Sequence, residues 1–418
     1  MNGHSGSDVP LSVCECCHLA AGGPHTHSPM SGRRVGFCLS DKKRRKIGLD
    51  VFAEICAGHG VEVVEIDLSK PLGPQGPFDV IVHKLSDVIV EAEHDSQSQQ
   101  LLANFQSYVS ANPSTVILDP LPAMSQLLDR FVSYRIMTKL HNSLQDWHIC
   151  SPPYLEIHSA SDLPSLQQAL TTQGLSFPLI CKTRVAHGAR SHEVSGLLQN
   201  VTSSQDYFCS CTAVHSLPAV CAMSAQMSVI FSAGSLAVVQ PPCVLQSFVN
   251  HGAVLHKVFV VGDRHFCVER PSLKNFPSGP SDRKTIFFNS HQVSKPESSS
   301  DLTALDEQMP CLPPPSSEAV AALVRELRVL LGMTLFGVDI IINIHTHTLT
   351  VIDINIFPGY EGVPQFFPSL LSHIESVLDK QASAGPQPTA QTTGGPSAAS
   401  TGLSDASGTA QGLPSSAS

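Results

Sequence analysis

The stretch Phe336-Gly-Val-Asp339-Ile-Ile-Ile342, followed by Leu349-Thr-Val-Ile-Asp353-Ile-Asn355, decides how this chain is built. Each half is a mostly apolar run of strand length that carries a carboxylate or an amide. Side chains alternate along a strand, so Asp353 and Asn355 share one face while Ile352 and Ile354 take the other. If the two runs pair, Asp339 lies beside them. Two carboxylates and an amide oxygen among Val and Ile form a hard-oxygen set suited to Mg²⁺, which keeps phosphates as further ligands. A single Asp at a strand end is usually just solvated. Three such groups buried without a cation would be costly.

Working outward, the spacing predicts a helix over 317–331 before the pair and another over 364–378 after it. Runs rich in Val, Ile and Phe at 177–183, 244–249 and 254–261 read as strands in hairpins. A long helix is expected over 121–144. Closer to the N-terminus the rhythm changes. Strands at 34–40, 61–68, 78–85 and 116–119 alternate with helices at 41–58 and 98–110, which implies a parallel sheet with ligands at the strands' carboxyl ends. The fold class is therefore α/β. Residues 1–29 are rich in Gly, Ser, His and Pro, and residues 380–418 have almost no bulky apolar side chains, so both read as disordered extensions. Cys14, Cys16, Cys17 and His18 in the first of these fit no usual zinc spacing.

With 418 residues there is room for two or three domains. The formal charge of −10 argues against broad binding to nucleic acid or anionic membrane. An acidic protein that handles anions must concentrate its basic residues locally. Residues 219–239 are uncharged but contain Gln226, Gly234 and four serines and lack basic flanks, so no membrane span is expected. The 13 cysteines follow no framework spacing and suggest unpaired thiols in a reducing compartment.

Two basic features stand out. Lys182 ends an apolar run in Phe177-Pro-Leu-Ile-Cys-Lys182-Thr-Arg184, just before His187-Gly188. A Lys at a strand end before a Gly-containing loop suits nucleotide phosphates, although such a Lys is more often merely solvated. No Walker or protein-kinase signature accompanies it. The run Lys42-Lys43-Arg44-Arg45-Lys46 opens the first helix, where cations oppose the macrodipole by about 0.3–1 kcal/mol each. Basic runs are commonly solvated faces, but here one or two of the five are expected to hold an anionic ligand.

Several segments in order then resemble the inositol-tetrakisphosphate 1-kinase family of ATP-grasp proteins. They are Arg34-Val-Gly-Phe, His83-Lys-Leu-Ser-Asp87, Leu118-Asp-Pro-Leu-Pro122, Cys181-Lys-Thr-Arg-Val-Ala-His-Gly188, Arg270-Pro-Ser-Leu-Lys-Asn275, Phe288-Asn-Ser-His291 and Asp353-Ile-Asn355. The resemblance implies an ATP-grasp fold: a Rossmann-like domain over 30–120 that binds inositol phosphate, then an ATP-grasp domain over 121–379 whose two mixed-sheet subdomains clamp ATP. It implies two Mg²⁺ ions on Asp339, Asp353 and Asn355. By the same resemblance ATP contacts Arg130, Lys182, Gln246, Ser247, Phe248, Val249, Lys257, Ser272, Ser290 and Ser294. The inositol phosphate contacts Lys43, Lys84, His192, Lys257, Asn355 and Gly359, with Arg270 and Lys274 as further candidates. Lys182, His187, His192 and Lys257 are the catalytic candidates. The implied reaction phosphorylates inositol 1,3,4-trisphosphate at the 5 or 6 position and inositol 3,4,5,6-tetrakisphosphate at the 1 position, with reverse transfer between inositols. A cytoplasmic monomer acting on soluble inositol polyphosphates is expected.

The chain departs from that family pattern in two places. Ile356 stands where the family has Ala, on the face away from the metal set. More disruptive is the stretch 194–226, long for a structureless loop in a compact domain. Its ends, Val194-Ser195 and Gln226, are encodable by splice donor and acceptor sequences, and one reading is an in-frame retained intron. Two alternatives therefore stand beside the kinase: a binder of ATP and inositol phosphate disabled by this stretch, and an ATP-grasp carboxylate–amine ligase.

Overall fold

A computed structural model of the chain describes residues 30–185, 226–305 and 312–384. The first domain is a parallel four-stranded sheet in the order β2-β1-β3-β4. It is built from β1 (Arg34–Cys38), α1 (Asp41–Ile47), α2 (Leu49–Gly58), β2 (Glu62–Glu65), β3 (Val80–His83), α3 (Ser86–Glu91), α4 (Ser96–Ala111) and β4 (Val116–Leu118). The single helix expected over 41–58 is two helices. Gly48 adopts a left-handed conformation (φ 71°), and its N–H closes onto the carbonyls of Arg44 and Arg45. The basic run is thus a separate short helix, with only Lys43 and Ile47 turned inward.

The helix expected over 121–144 is also two, α5 (Leu121–Ser125) and α6 (Arg130–Ser143). Asp129 starts the second by accepting the Phe131 N–H at 2.9 Å, which the unbroken apolar period did not reveal. Beyond it come β5 (Ile149–Cys150), β6 (Tyr154–Ile157), α7 (Leu163–Thr172), β7 (Leu179–Thr183), β8 (Gln226–Ile230), β9 (Cys243–Ser247), β10 (Val254–Val261), β11 (Arg264–Pro271), β12 (Ile286–Asn289), α8 (Ser290–Val293), α9 (Ser317–Leu331), β13 (Leu335–Ile342), β14 (Leu349–Ile356) and α10 (Phe366–Ala384). They form two five-stranded sheets, β12-β8-β7-β9-β6 and β11-β10-β13-β14-β5. In the second sheet only the β14–β5 pair is parallel.

One apolar core runs through the first domain and the second five-stranded sheet, from Val35 and Phe52 to Leu323 and Leu370. Phe52 of α2 meets Phe367 of α10 at 5.5 Å. Buried Asp119, just after β4, reinforces the junction by accepting from the Thr334 N–H and hydroxyl and the Leu335 N–H at 2.7–2.8 Å. Its own carbonyl meets buried His83 Nε2 at 2.6 Å. The first five-stranded sheet has separate cores on its two faces. Among the described residues no helix is long and apolar enough to cross a membrane. The uncharged stretch at 219–239 contributes β8 and a short 3₁₀ turn at Ala233–Val238, with its first residues outside the described ones.

Candidate active site

The two runs that opened the sequence reading pair as antiparallel neighbours, β13 against β14. Asp339 lies opposite Asp353, and Gly337 opposite Asn355. Opposed residues in an antiparallel pair project to the same face, so the two carboxylates and the amide share one surface. On the other side of β13, Lys257 is the partner of Asp339 in the ladder. Its ammonium donates to both carboxylate oxygens, at 2.9 and 3.0 Å. Burial holds the Asp339 carboxyl above its ordinary range and Asp353 pushes the same way, while Lys257 and Lys182 oppose them. Asp339 is 14% exposed and Lys257 21%, so the pair is largely withdrawn from water.

The β13–β14 ladder slips by one residue between Asp339 and Ile340, leaving Ile352 as an extra residue on β14. Lys182 comes from β7 of the other sheet and donates to the Ile352 carbonyl at 2.9 Å. Only 4% exposed, it lies 5.4 Å above the ring of Tyr134. The Tyr134 hydroxyl in turn donates to Gln246 Oε1. Arg130, one helical turn before Tyr134, donates to the Thr183 carbonyl at 2.6 Å, and its buried Nε has no hydrogen-bond partner. Arg130, Tyr134, Lys182 and Gln246 therefore form one polar lining between the sheets. Sequence reading missed Tyr134, although its i, i+4 spacing from Arg130 is the signal that would have found it.

The remaining residues expected at the nucleotide are more dispersed. The Ser247 hydroxyl accepts from the Ser176 N–H at 3.0 Å, which turns it to the opposite face of β9 from Gln246. Phe248 packs on Phe276 and His251. The Val249 carbonyl meets His251 Nδ1 at 2.7 Å, and Ser272 Oγ lies 2.7 Å from His251 Nε2. Ser294 donates back to the Ser290 carbonyl at 2.9 Å. His187 and His192 lie outside the described residues, as does 194–225.

Beyond Asn355 the chain turns through Phe357 and Tyr360, both at positive φ, and presents its carbonyls to the first domain. Lys43 donates to the Phe357 and Pro358 carbonyls, with its ammonium 4.1 Å from the Phe357 ring centroid. Lys84 donates to the same Phe357 carbonyl at 3.2 Å. Burial, then repulsion from Lys84 and Lys46, pushes the Lys43 ammonium well below its usual range. Arg270 is buried and donates to the Glu361 carbonyl at 2.7 Å. Lys274 stands nearby in sequence, its N–H on the Leu302 carbonyl at 2.6 Å. Gly359 sits under the Glu361 carboxylate, where a Cβ would come within 2.3–2.5 Å of it.

Among the described residues no group of three His, Cys, Asp or Glu side chains could hold a metal. A cation here would rest on Asp339, Asp353 and the Asn355 amide. That set fits Mg²⁺: its donors are hard oxygens, and the buried Asp339 carboxylate already takes a cation, the Lys257 ammonium.

Residues 34–124 match the family model described as the inositol 1,3,4-trisphosphate 5/6-kinase pre-ATP-grasp domain, and residues 143–204 and 213–376 match its ATP-grasp domain. The fold is thus an ATP-grasp fold behind a pre-ATP-grasp domain. The chain belongs to the inositol 1,3,4-trisphosphate 5/6-kinase family. The break between the two ATP-grasp blocks, residues 205–212, falls inside the long stretch at 194–226. Inositol-tetrakisphosphate 1-kinase of Xenopus laevis is 47% identical over 366 residues, covering 87% of this chain and 84% of its own length. The Danio rerio protein of the same name is 48% identical over 357 residues, covering 85% and 82%. Among solved structures, D-cycloserine synthetase DcsG aligns at 12% identity with a TM-score of 0.45, covering 83% of this chain and 99% of its own. That likeness is too distant to bear on activity.

Proposed function

We propose that this protein transfers the γ-phosphoryl group of ATP to a hydroxyl of a soluble inositol polyphosphate. One juxtaposition supports the reading. The face carrying Asp339, Asp353 and Asn355 continues into a turn whose carbonyls collect Lys43 and Lys84. Donor phosphates and a polyanionic acceptor would meet across that turn. Arg130, Lys182, Gln246 to Val249, Lys257, Ser272, Ser290 and Ser294 are the groups for the nucleotide. Lys43, Lys84, Lys257, Asn355, Gly359 and His192 are those for the acceptor.

In the transfer the γ-phosphorus–oxygen bond to ADP breaks while the acceptor oxygen bonds to phosphorus, and the hydroxyl proton leaves. In-line placement and charge neutralisation do most of the work. Asp339, Asp353 and Asn355 would hold two Mg²⁺ ions, which would compensate phosphate charge. Lys182 and Lys257 offset charge on the moving phosphoryl group, and the buried cations of the first domain orient the ring. His187 or His192 takes the hydroxyl proton or binds acceptor phosphate. Inositol 1,3,4-trisphosphate at position 5 or 6, and inositol 3,4,5,6-tetrakisphosphate at position 1, are the proposed acceptors, with reverse transfer between inositols.

The test is phosphate transfer from ATP to inositol 1,3,4-trisphosphate with Mg²⁺, by this chain and by a version lacking residues 194–226. Transfer by both is the expected result and would make that stretch a tolerated excursion. Transfer by the shortened chain alone would mark 194–226 as disabling. If neither form transfers phosphate while both fold and bind ATP, the acceptor assignment is wrong.

A further inference from the structure

Glu361 is an acid in the wrong place for a site that takes polyanions. Its carboxylate pairs with Lys46 at 2.5 Å and lies directly over Gly359, while its backbone carbonyl receives Arg270. Its charge acts on Lys43, Lys84 and Arg270 as well. Two other acids touch the cluster more narrowly, Asp87 through Lys84 and Glu297 through Arg270. Glu361 alone of the three reaches all four cations. Because its carboxylate pairs with Lys46 and covers Gly359, an acceptor phosphate drawn to either would meet its negative charge.

We infer that Glu361 sets the number of phosphates the acceptor site accepts, by holding Lys46 and repelling the phosphate that would replace it. The inference rests on the acceptor reading given above. Repulsion grows with ligand charge, so Glu361 penalises a tetrakisphosphate more than a trisphosphate, and a pentakisphosphate more again.

The test is calorimetric binding of inositol 1,3,4-trisphosphate and inositol 3,4,5,6-tetrakisphosphate to the full chain and to Glu361→Gln, which keeps the shape and removes the charge. Glu361→Gln should tighten the tetrakisphosphate about three- to tenfold more than the trisphosphate, with the KM for ATP unchanged. Glu361→Asp, one methylene shorter, should keep the wild-type ratio and so guards against a change in folding alone. An equal change for both ligands, or a weaker tetrakisphosphate, overturns the role of Glu361 and leaves the acceptor reading standing. If the wild-type chain binds neither inositol phosphate, the acceptor reading falls and the inference with it.

Discussion

Asp339 and Lys257 neutralise one another across two strands, and each is the other's main reason for tolerating burial. Asp339→Asn removes one of two carboxylates and leaves Lys257 without its counter-ion. Transfer should fall by about 100-fold or more, and the Mg²⁺ needed for half-maximal rate should rise. A magnesium titration of initial rate checks both, and an unshifted titration would remove Asp339 from the metal set. This pair of strands was legible in the sequence because alternation alone sorts Asp353 and Asn355 from Ile352 and Ile354. Of the basic run, composition and position said only that one or two of the five would hold an anionic ligand, and the family resemblance singled out Lys43. Lys43 is selected by the i, i+4 spacing it shares with Ile47, which becomes decisive only once the run is an isolated helix. Glu361 escaped notice because its charge is opposite to what the acceptor demands, and only its distance to Lys46 gives it meaning.

At the level of elements, small irregularities place the chemistry. The slip that frees the Ile352 carbonyl for Lys182 joins the two five-stranded sheets, yet nothing in the run Thr350-Val-Ile-Asp353 marks it. Strands buried on both faces read as uniform apolar runs, and a one-residue shift leaves no trace in such a pattern. The helix breaks at Gly48 and Asp129 were similarly masked by an apolar period that continues across each. Gly337 is more informative. A Cβ there would stand 3.1 Å from Pro358 Cγ, tighter than ordinary contact, and would press on the turn that carries the carbonyls for Lys43. Gly337→Ala should raise the KM for inositol phosphate about three- to tenfold and leave the KM for ATP within twofold. Steady-state kinetics with each substrate varied in turn would decide it, and a parallel rise in both constants would count against the turn as the target.

The whole molecule depends on Asp119, which closes the first domain onto the start of β13. Asp119→Ala leaves the buried Leu335 N–H and the half-buried Thr334 N–H and hydroxyl without their acceptor, at a cost of about 2–3 kcal/mol in urea unfolding. It should also raise the KM for inositol phosphate more than that for ATP, since Lys43 and Lys84 of the proposed acceptor set belong to the first domain. A stability loss without that split would make Asp119 structural only. Acid sensitivity is the second whole-molecule property. Burial lowers His83, His251, His256 and His373 each to about 4. Each therefore favours the folded state fully above its ordinary value of 6.5, and that contribution is lost as pH falls from there toward 4. Between pH 8 and pH 5 each should forfeit about 2 kcal/mol, so unfolding free energy measured against pH should drop steeply. A flat profile over that range would refute it.

The contact of Lys43 with the Phe357 and Pro358 carbonyls joins positions more than three hundred residues apart. A ribosome works through the chain in one direction, so the first domain emerges long before the turn that receives its lysines. Until that turn is translated, Lys43 has neither carbonyl to donate to. A message cut short after Ile356 would encode every strand of both five-stranded sheets, yet it would leave Lys43 without its two carbonyls and the core without Phe366, Leu370 and Ile374 of α10.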